Sequence, residues 1–188
     1  NPVFEEVSLT YFRQKPFFIT ADVPLLIDFL YDNPKEIGAD RIANAVAAYA
    51  FFGAPNIVID FGTATTFDCT NKKGQYLGGV ITPGPAIAAE SLAQRTAKLP
   101  LVEMVKPPHV IAHSTIGAIQ SGIYFGYVGL IREILARVRK EMAGNPHIIA
   151  TGGLAHLIVP EIKEVKDVVN ELTLEGIRII WEKAKLPK

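Results

Sequence analysis

The fold of this chain is decided by the stretch Asn56-Ile57-Val58-Ile59-Asp60-Phe61-Gly62. An apolar run that ends in a polar tip is typical of a buried strand. Residues 63–70 continue as a second predicted strand, and a turn at 71–74 leads to a third at 75–81. Strands joined by tight turns form a β-meander, so we expect an antiparallel unit at this point of the chain.

Helical and strand patterns surround this meander on both sides. Ser114 or Thr115 suits the N-cap of the longest helix, which extends to about Met142. Helices are predicted at residues 40–52, 83–97, 115–142 and 172–183, and further strands at 16–20 and 147–150. This order of elements indicates an α/β fold.

The composition excludes several classes of protein. Lysine and arginine number 19, as do aspartate and glutamate, so the sequence lacks the basic excess of a nucleic-acid-binding protein. Its single cysteine, Cys69, cannot form an intrachain disulfide, which favours a cytosolic protein. No apolar run approaches the length of a membrane span, and the start of the chain lacks the pattern of a signal peptide.

The turn that follows the strand at 56–62 suits phosphate chemistry. Gly62 allows the backbone to approach a phosphate closely, while exposed amides and threonine hydroxyls can donate to its oxygens. Asp60 would then hold a cation or a metal-bound water, because an anionic site needs a counter-charge to bind another anion. The alternative interpretation is an ordinary β-hairpin with a polar tip.

A second segment, Gly38-Ala39-Asp40-Arg41, combines an acid and a base at a helix start. Asp40 could act as a general base and Arg41 as an anion clamp, aided by the helix N-terminus. The alternative is an N-cap aspartate beside a solvated arginine.

Glycines mark two further segments. The turn Thr151-Gly152-Gly153 would let a ribose or a flat ring lie against the backbone, or it is a plain strand-to-helix turn. Each glycine in a helix costs up to about 1 kcal/mol relative to alanine. The longest helix carries glycines at 117, 122, 126 and 129. Such a cost suggests close packing of another helix, of a ligand or of a second subunit.

In this order the segments resemble the type III pantothenate kinase family, members of the actin/hexokinase-like superfamily. The matching segments extend over nearly the whole chain. They are residues 31–41 (YDNPKEIGADR), 59–68 (IDFGTATTFD), 78–84 (GGVITPG), 96–100 (TAKLP), 115–122 (TIGAIQSG) and 151–155 (TGGLA). The resemblance implies a two-lobe, ribonuclease H-like α/β fold, with lobes at 1–54 and 55–188 and a last helix able to pack back on the first lobe.

The resemblance also implies a reaction and its cofactors. Such an enzyme transfers the γ-phosphate of ATP to pantothenate and gives 4′-phosphopantothenate for coenzyme A biosynthesis. Asp40 is implied as the general base and Asp60 as the ligand of a monovalent cation, K⁺ or NH₄⁺. Mg²⁺ would accompany ATP, and a cytoplasmic homodimer is implied.

The family pattern assigns binding residues as well. The residues implied to bind pantothenate are Tyr31, Gly38, Ala39, Asp40, Arg41 and Thr115. The residues implied to bind ATP are Gly62, Thr63, Gly152 and Gly153.

The chain departs from the superfamily pattern in one respect. Superfamily kinases hold ATP between two Asp-x-Gly hairpins, whereas this sequence has one, at Asp60. We therefore expect the first lobe to be incomplete and this chain alone to bind ATP poorly or to be inactive. Two alternatives remain at this point: a non-catalytic relative of the accessory transcription factor type, and another small-molecule kinase or phosphatase of the superfamily.

Overall fold

A computed structural model describes residues 2–185 and contains, over that range, one mixed six-stranded sheet. The strands lie in the order β1-β4-β3-β2-β5-β6. Their bounds are β1 Asp28–Phe29, β2 Asn56–Phe61, β3 Ala64–Thr70, β4 Gln75–Pro83, β5 His147–Thr151 and β6 Asp167–Val168. The predicted α/β order of elements is present.

The predicted meander forms the middle of this sheet. Strands β2 and β3 pair antiparallel from Asn56 opposite Thr70 to Phe61 opposite Thr65, and β3 pairs antiparallel with β4. Strand β5 pairs parallel with β2, so both strands end at the same edge. The carboxyl edge of β2 and β5 is therefore where polar loop residues meet.

Helices cover both faces of the sheet. Their bounds are α1 Pro2–Val7, α2 Ala39–Phe52, α3 Pro85–Arg95, α4 Thr115–Glu141, α5 Ala155–Ile158 and α6 Leu172–Lys185, with a π-helix at Ser8–Phe12 and 3₁₀ turns at Pro34–Glu36 and Val159–Glu161. The Ser114 hydroxyl accepts a hydrogen bond from the Gly117 amide at 3.1 Å, which confirms it as the N-cap of α4.

Alternation along β2 sends its side chains to two separate cores. Ile57, Ile59 and Phe61 pack with one face of α4, while Val58 packs with α2 and α6. Because side chains two apart share a face, Asp60 points to the same side as Val58. The polar tip of β2 therefore faces the start of α2.

The contact between α2 and α6 depends on small residues. Ala43, Ala47 and Ala48 are fully buried, and Gly176 of α6 lies against the Ala43 backbone. The last helix thus packs on residues 39–52. The division into lobes at residues 54 and 55 stays a prediction, and residues 1 and 186–188 of those lobes lie outside the described range.

The predicted strand at 16–20 is wrong. These residues form no ladder and are mostly exposed, whereas the short strand β1 pairs parallel with β4. A strand needs a partner for its backbone groups, and Pro16 contributes no amide proton to a ladder. From residue 2 to residue 185, no helix is long and apolar enough to cross a membrane.

Candidate active site

The candidate site lies at the edge where β2 and β5 end. Asp60 pairs with Thr151 in the parallel ladder, which brings the turn after β5 beside the tip of β2. The first turn of α2 supplies Asp40 at the same edge, close enough for its charge to raise the pKa of Asp60. The structure thus brings together two carboxylates and a glycine turn that lie far apart in sequence.

Asp60 is held by a short relay of side chains. The Asn44 amide donates to Asp60 Oδ2 at 2.8 Å, and the Thr173 hydroxyl donates to Asn44 Oδ1 at 2.7 Å. Asn44 is completely buried in α2, and Thr173 lies in the first turn of α6. Two helices therefore fix the orientation of one carboxylate.

Burial raises the pKa of Asp60, the Asn44 hydrogen bond opposes this, and the nearby charge of Asp40 raises the pKa further. Within residues 2–185, no positively charged side chain contributes to the pKa of Asp60, so its ionised carboxylate lacks a compensating positive charge. A carboxylate oxygen in such surroundings suits a small cation. In the part of the chain that the structure describes, this site included, no three His, Cys, Asp or Glu side chains form a metal cluster.

Glycine is required at one of the two positions predicted in the turn after β5. Gly152 has φ +92°, and a Cβ there would lie 2.6 Å from both Asp60 Oδ1 and the Phe61 nitrogen. Gly153 is exposed, and a Cβ there would meet nothing within 4 Å. The backbone at Gly152 thus comes close to Asp60, while Gly153 borders open space.

The turn between β2 and β3 is exposed on its outer side and held by a backbone hydrogen bond to the start of α3. Gly62 and Thr63 are both exposed, and the Thr63 carbonyl accepts a hydrogen bond from the Gly84 amide at 3.0 Å. A Cβ on Gly84 would lie 2.4 Å from that carbonyl oxygen. The start of α3 therefore fixes the position of this turn and leaves its outer surface exposed.

Asp40 is exposed in the first turn of α2. Its Oδ1 accepts a hydrogen bond from the Arg41 amide at 2.8 Å. A Cβ on Gly38 would lie 2.5 Å from the same oxygen, so the glycine leaves room for the carboxylate. Ala39 is exposed beside it. An accessible carboxylate of this kind can exchange a proton with a bound hydroxyl.

Arg41 is not the solvated arginine of the alternative interpretation. It is 7% exposed, and its Nε donates to Asp68 Oδ1 at 2.7 Å. Tyr76 lies beneath its guanidinium, 5.8 Å from the ring centroid, and Tyr31 lies 6.0 Å from the Tyr76 ring. Tyr31 and Arg41 therefore border the same aromatic side chain.

Asp68, Tyr76 and Asn44 were not predicted from the sequence as site residues. The sequence did offer a signal for Asp68. It is a charged residue inside a predicted strand, and it lies two positions after Thr66 and so on the same face. Nothing in the helical pattern of α2 distinguishes Asn44 from its neighbours.

Thr115 lies on a different helix from Asp40. It is exposed at the first residue of α4, whereas Tyr127 of the same helix contacts Thr65 and donates to the Pro83 carbonyl at 3.0 Å. Twelve residues of helix place Thr115 about 18 Å along the axis from Tyr127. Helix α4 packs in a different core from α2, and the role of Thr115 stays a prediction.

Cys69 takes no part in the site. It is buried under α4, and burial raises the pKa of its thiol to about 12. A thiol that stays protonated is unreactive, so Cys69 is a packing residue of the core.

Known proteins provide an independent comparison. The family described as type III pantothenate kinase matches residues 1–137. A type III pantothenate kinase from Geobacter sulfurreducens is 49% identical over 181 residues, which cover 96% of this chain and 71% of the relative. One from Endomicrobium trichonymphae is 52% identical over 183 residues, covering 97% of this chain and 70% of the relative.

A solved structure shares the fold. It is a protein from Campylobacter jejuni described as a conserved Baf family transcriptional activator, with a TM-score of 0.61 and 22% identity, and the match covers 97% of this chain and 79% of that one. At this identity the likeness concerns the fold alone. The mixed sheet with helices on both faces confirms the predicted α/β class. The chain belongs to the type III pantothenate kinase family.

Proposed function

We propose that the protein phosphorylates pantothenate with ATP and forms 4′-phosphopantothenate, the first step of coenzyme A biosynthesis. The observation that carries the proposal is the exposed Asp40 carboxylate beside Asp60 and Gly152, in a chain of this family. Retention of both carboxylates disfavours a non-catalytic regulatory relative.

In the proposed reaction Asp40 accepts the proton of the pantothenate primary hydroxyl. The hydroxyl oxygen attacks the γ-phosphorus of ATP, the bond to the bridging oxygen breaks, and ADP leaves. Gly62 and Thr63 offer backbone and hydroxyl donors to the phosphates, and the turn at 152–153 borders the nucleoside. Mg²⁺ bound with ATP would neutralise phosphate charge.

Arg41 and Tyr31 are proposed to bind pantothenate at its carboxylate end. Gly38 and Ala39 would line the approach to Asp40, where both are exposed. Thr115 stays a predicted contact of pantothenate.

The proposal is tested by measuring ADP release from the full-length gene product with Mg²⁺, K⁺ and one hydroxyl substrate at a time. We expect turnover with pantothenate, a product heavier by one phosphoryl group, and none with glucose or glycerol. Turnover with a sugar and not with pantothenate would instead favour the other kinases of the superfamily.

Asp60 is proposed to hold the monovalent cation. Its Oδ2 is bonded to Asn44, while its Oδ1 faces Gly152 and receives no hydrogen bond from a side chain among residues 2–185. The pKa of Asp60, raised by burial, indicates a charge that a cation would stabilise. These features support a cation beside Asp60, and the family resemblance implies that it is K⁺ or NH₄⁺.

Potassium is accordingly expected to stabilise the fold. Potassium at ten times its Kd adds about 1.4 kcal/mol by mass action. In a domain of this size such a gain raises Tm by roughly 3–6 °C. Thermal unfolding is compared in KCl and in tetramethylammonium chloride at equal ionic strength, for wild type, Asp60→Asn and the exposed control Asp22→Asn. Only Asp60→Asn should lose the potassium effect; an equal shift in all three proteins would remove Asp60 as the ligand.

The homodimer is proposed to form through the outer face of α3 and α4. Apolar and small residues there line a groove: Ala88, Leu92, Ala118, Gly122, Gly126 and Leu130. The space above Gly122 and Gly126 is open, with nothing within 4 Å of a Cβ at either position. Another copy of this chain is the proposed occupant, in line with the homodimers that the family resemblance implies.

A charge in the groove is expected to separate the subunits. Leu92→Arg places an unpaired cation on an apolar contact, which is costly to bury. Light scattering should then report a monomer with an unchanged circular dichroism spectrum. Leu174→Arg puts the same charge on an exposed leucine of α6 and should leave the dimer intact. A monomeric wild type, or a dimeric Leu92→Arg, would contradict the proposed interface.

A further inference from the structure

A charged and hydrogen-bonded group lies buried beneath the proposed pantothenate site. Asp68 has no exposed surface, and it accepts hydrogen bonds from Arg41 Nε at 2.7 Å, from the Tyr76 hydroxyl at 2.6 Å and from the Thr66 hydroxyl at 2.9 Å. A buried carboxylate is costly unless several donors compensate for its lost hydration. Three donors converge on this one, so its position is tightly determined.

The ion pair with Arg41 uses only part of the guanidinium. A purely structural arginine–carboxylate pair is commonly bidentate, with two parallel N–H donors on the two carboxylate oxygens. Here Oδ1 of Asp68 takes Nε, and Oδ2 is occupied by Thr66. Through residues 2–185 the terminal nitrogens of Arg41 make no side-chain hydrogen bond, and they are not among the polar atoms sealed from solvent without a partner.

The free end of Arg41 lies beside a glycine that keeps space open. A Cβ on Gly79 would lie 3.1 Å from Nη2 of Arg41 and 1.6 Å from the Phe67 carbonyl oxygen, so no other residue fits. The preceding residue, Gly78, lies under the Tyr31 ring, where a Cβ would be 3.1 Å away. Arg41 and Tyr31 thus lie next to adjacent glycines of β4, with the guanidinium fork free for a second carboxylate.

Tyr76 strengthens this arrangement as a permanent donor. Burial and the adjacent Asp68 carboxylate raise the pKa of Tyr76 well above its ordinary value, so its hydroxyl stays protonated. Its ring also lies under the Arg41 guanidinium. Tyr76 therefore restricts the positions of both the Asp68 carboxylate and the Arg41 guanidinium.

We infer that Asp68, with Tyr76 and Thr66, is a positioning residue that aims the terminal nitrogens of Arg41 at the carboxylate of pantothenate. The inference rests on the proposed function and deepens it. Asp68 itself does not touch substrate. Its removal should therefore affect recognition of the substrate carboxylate and not the transfer of the phosphoryl group.

The test compares Asp68→Asn with Thr70→Val in full-length protein. Asparagine keeps the shape of Asp68 and removes its charge, whereas Thr70 is a buried residue of the same strand whose hydroxyl has no partner. We expect Asp68→Asn to raise KM for pantothenate by about tenfold or more, with kcat and the KM for ATP changed by less than about threefold, because binding common to ground and transition states is lost. Thr70→Val should change none of these values.

A second ligand distinguishes a positioning role of Asp68 from a general effect of its substitution on the fold. Calorimetry compares pantothenate with its primary-alcohol analogue, in which CH₂OH replaces the carboxylate. Wild type should prefer pantothenate, and Asp68→Asn should lose most of that preference. Tyr76→Phe, which removes one donor and keeps the ring, should show a smaller loss in the same direction and provides the measurement if Asp68→Asn does not fold.

The outcomes are distinguishable. If wild type phosphorylates pantothenate while Asp68→Asn and Tyr76→Phe both keep its KM and the preference for the carboxylate, the positioning role is wrong and the proposed function stands. A wild type that does not bind pantothenate overturns both.

Discussion

Asp40→Asn is expected to lower kcat for pantothenate phosphorylation by about 10²–10⁴-fold, the usual contribution of a general base. An amide oxygen can still accept the Arg41 N–H bond that Asp40 Oδ1 accepts now at 2.8 Å, so the start of α2 should keep its geometry. The amide cannot take up the hydroxyl proton. Because Asp40 is exposed, the free energy of unfolding should change by only a few tenths of a kcal/mol.

The measurement is steady-state ADP release at saturating ATP, together with urea denaturation of the same samples. Glu36→Gln is the matched control, since it neutralises an exposed carboxylate just before α2 and should leave kcat unchanged. A fall in kcat with a constant KM for pantothenate supports proton transfer by Asp40. If Asp40→Asn keeps kcat within threefold of wild type, the proton leaves by another route and Asp40 only lines the site.

Much of this site could be predicted because strand alternation and turn chemistry are local. The run at 56–62 predicted both the strand and its polar tip, and the glycine turn at 151–153 followed a recognisable strand. The parallel pairing of β2 with β5, which brings those two turns together, is a long-range contact. Only the family resemblance pointed to it from sequence.

The environment of each charged residue was harder to predict than its position. Arg41 follows Asp40 at a helix start, where a local pattern fits a solvated side chain equally well. Its burial depends on Asp68, which is 27 residues away and lies on strand β3. Partners at such separations are set by sheet register, and one residue of slip would turn Asp68 to the opposite face.

The strand predicted at 16–20 failed for a related reason. Its aromatic and β-branched residues favour extended backbone, but propensity does not supply a neighbouring strand. Conversely, β1 has only two residues, too few to give a period, and forms because β4 offers it a free edge. Tertiary context decided both segments.

Gly176→Ala is expected to destabilise the protein by up to about 2 kcal/mol net, since inserting a methyl group into a packed contact usually costs about 1–3 kcal/mol. A Cβ at Gly176 would lie 2.0 Å from the Ala43 carbonyl oxygen and 2.8 Å from the Ala43 Cα. These are backbone atoms, so rotamer changes cannot relieve the overlap and α6 must move away from α2. The loss should outweigh the roughly 1 kcal/mol that alanine gains over glycine in a helix.

Movement of α6 would also reach the proposed cation site, because Thr173, one turn before Gly176, donates to Asn44, which in turn donates to Asp60. Gly176→Ala should therefore lower the midpoint of urea denaturation and also reduce the stabilisation by potassium. Gly129→Ala is the matched control: it lies in α4 with nothing within 4 Å of its Cβ, so helix propensity should leave it as stable as wild type or slightly more so. If the two alanine variants prove equally stable, then α6 is not held against α2 at the distance described, and the relay from Thr173 to Asp60 loses its support.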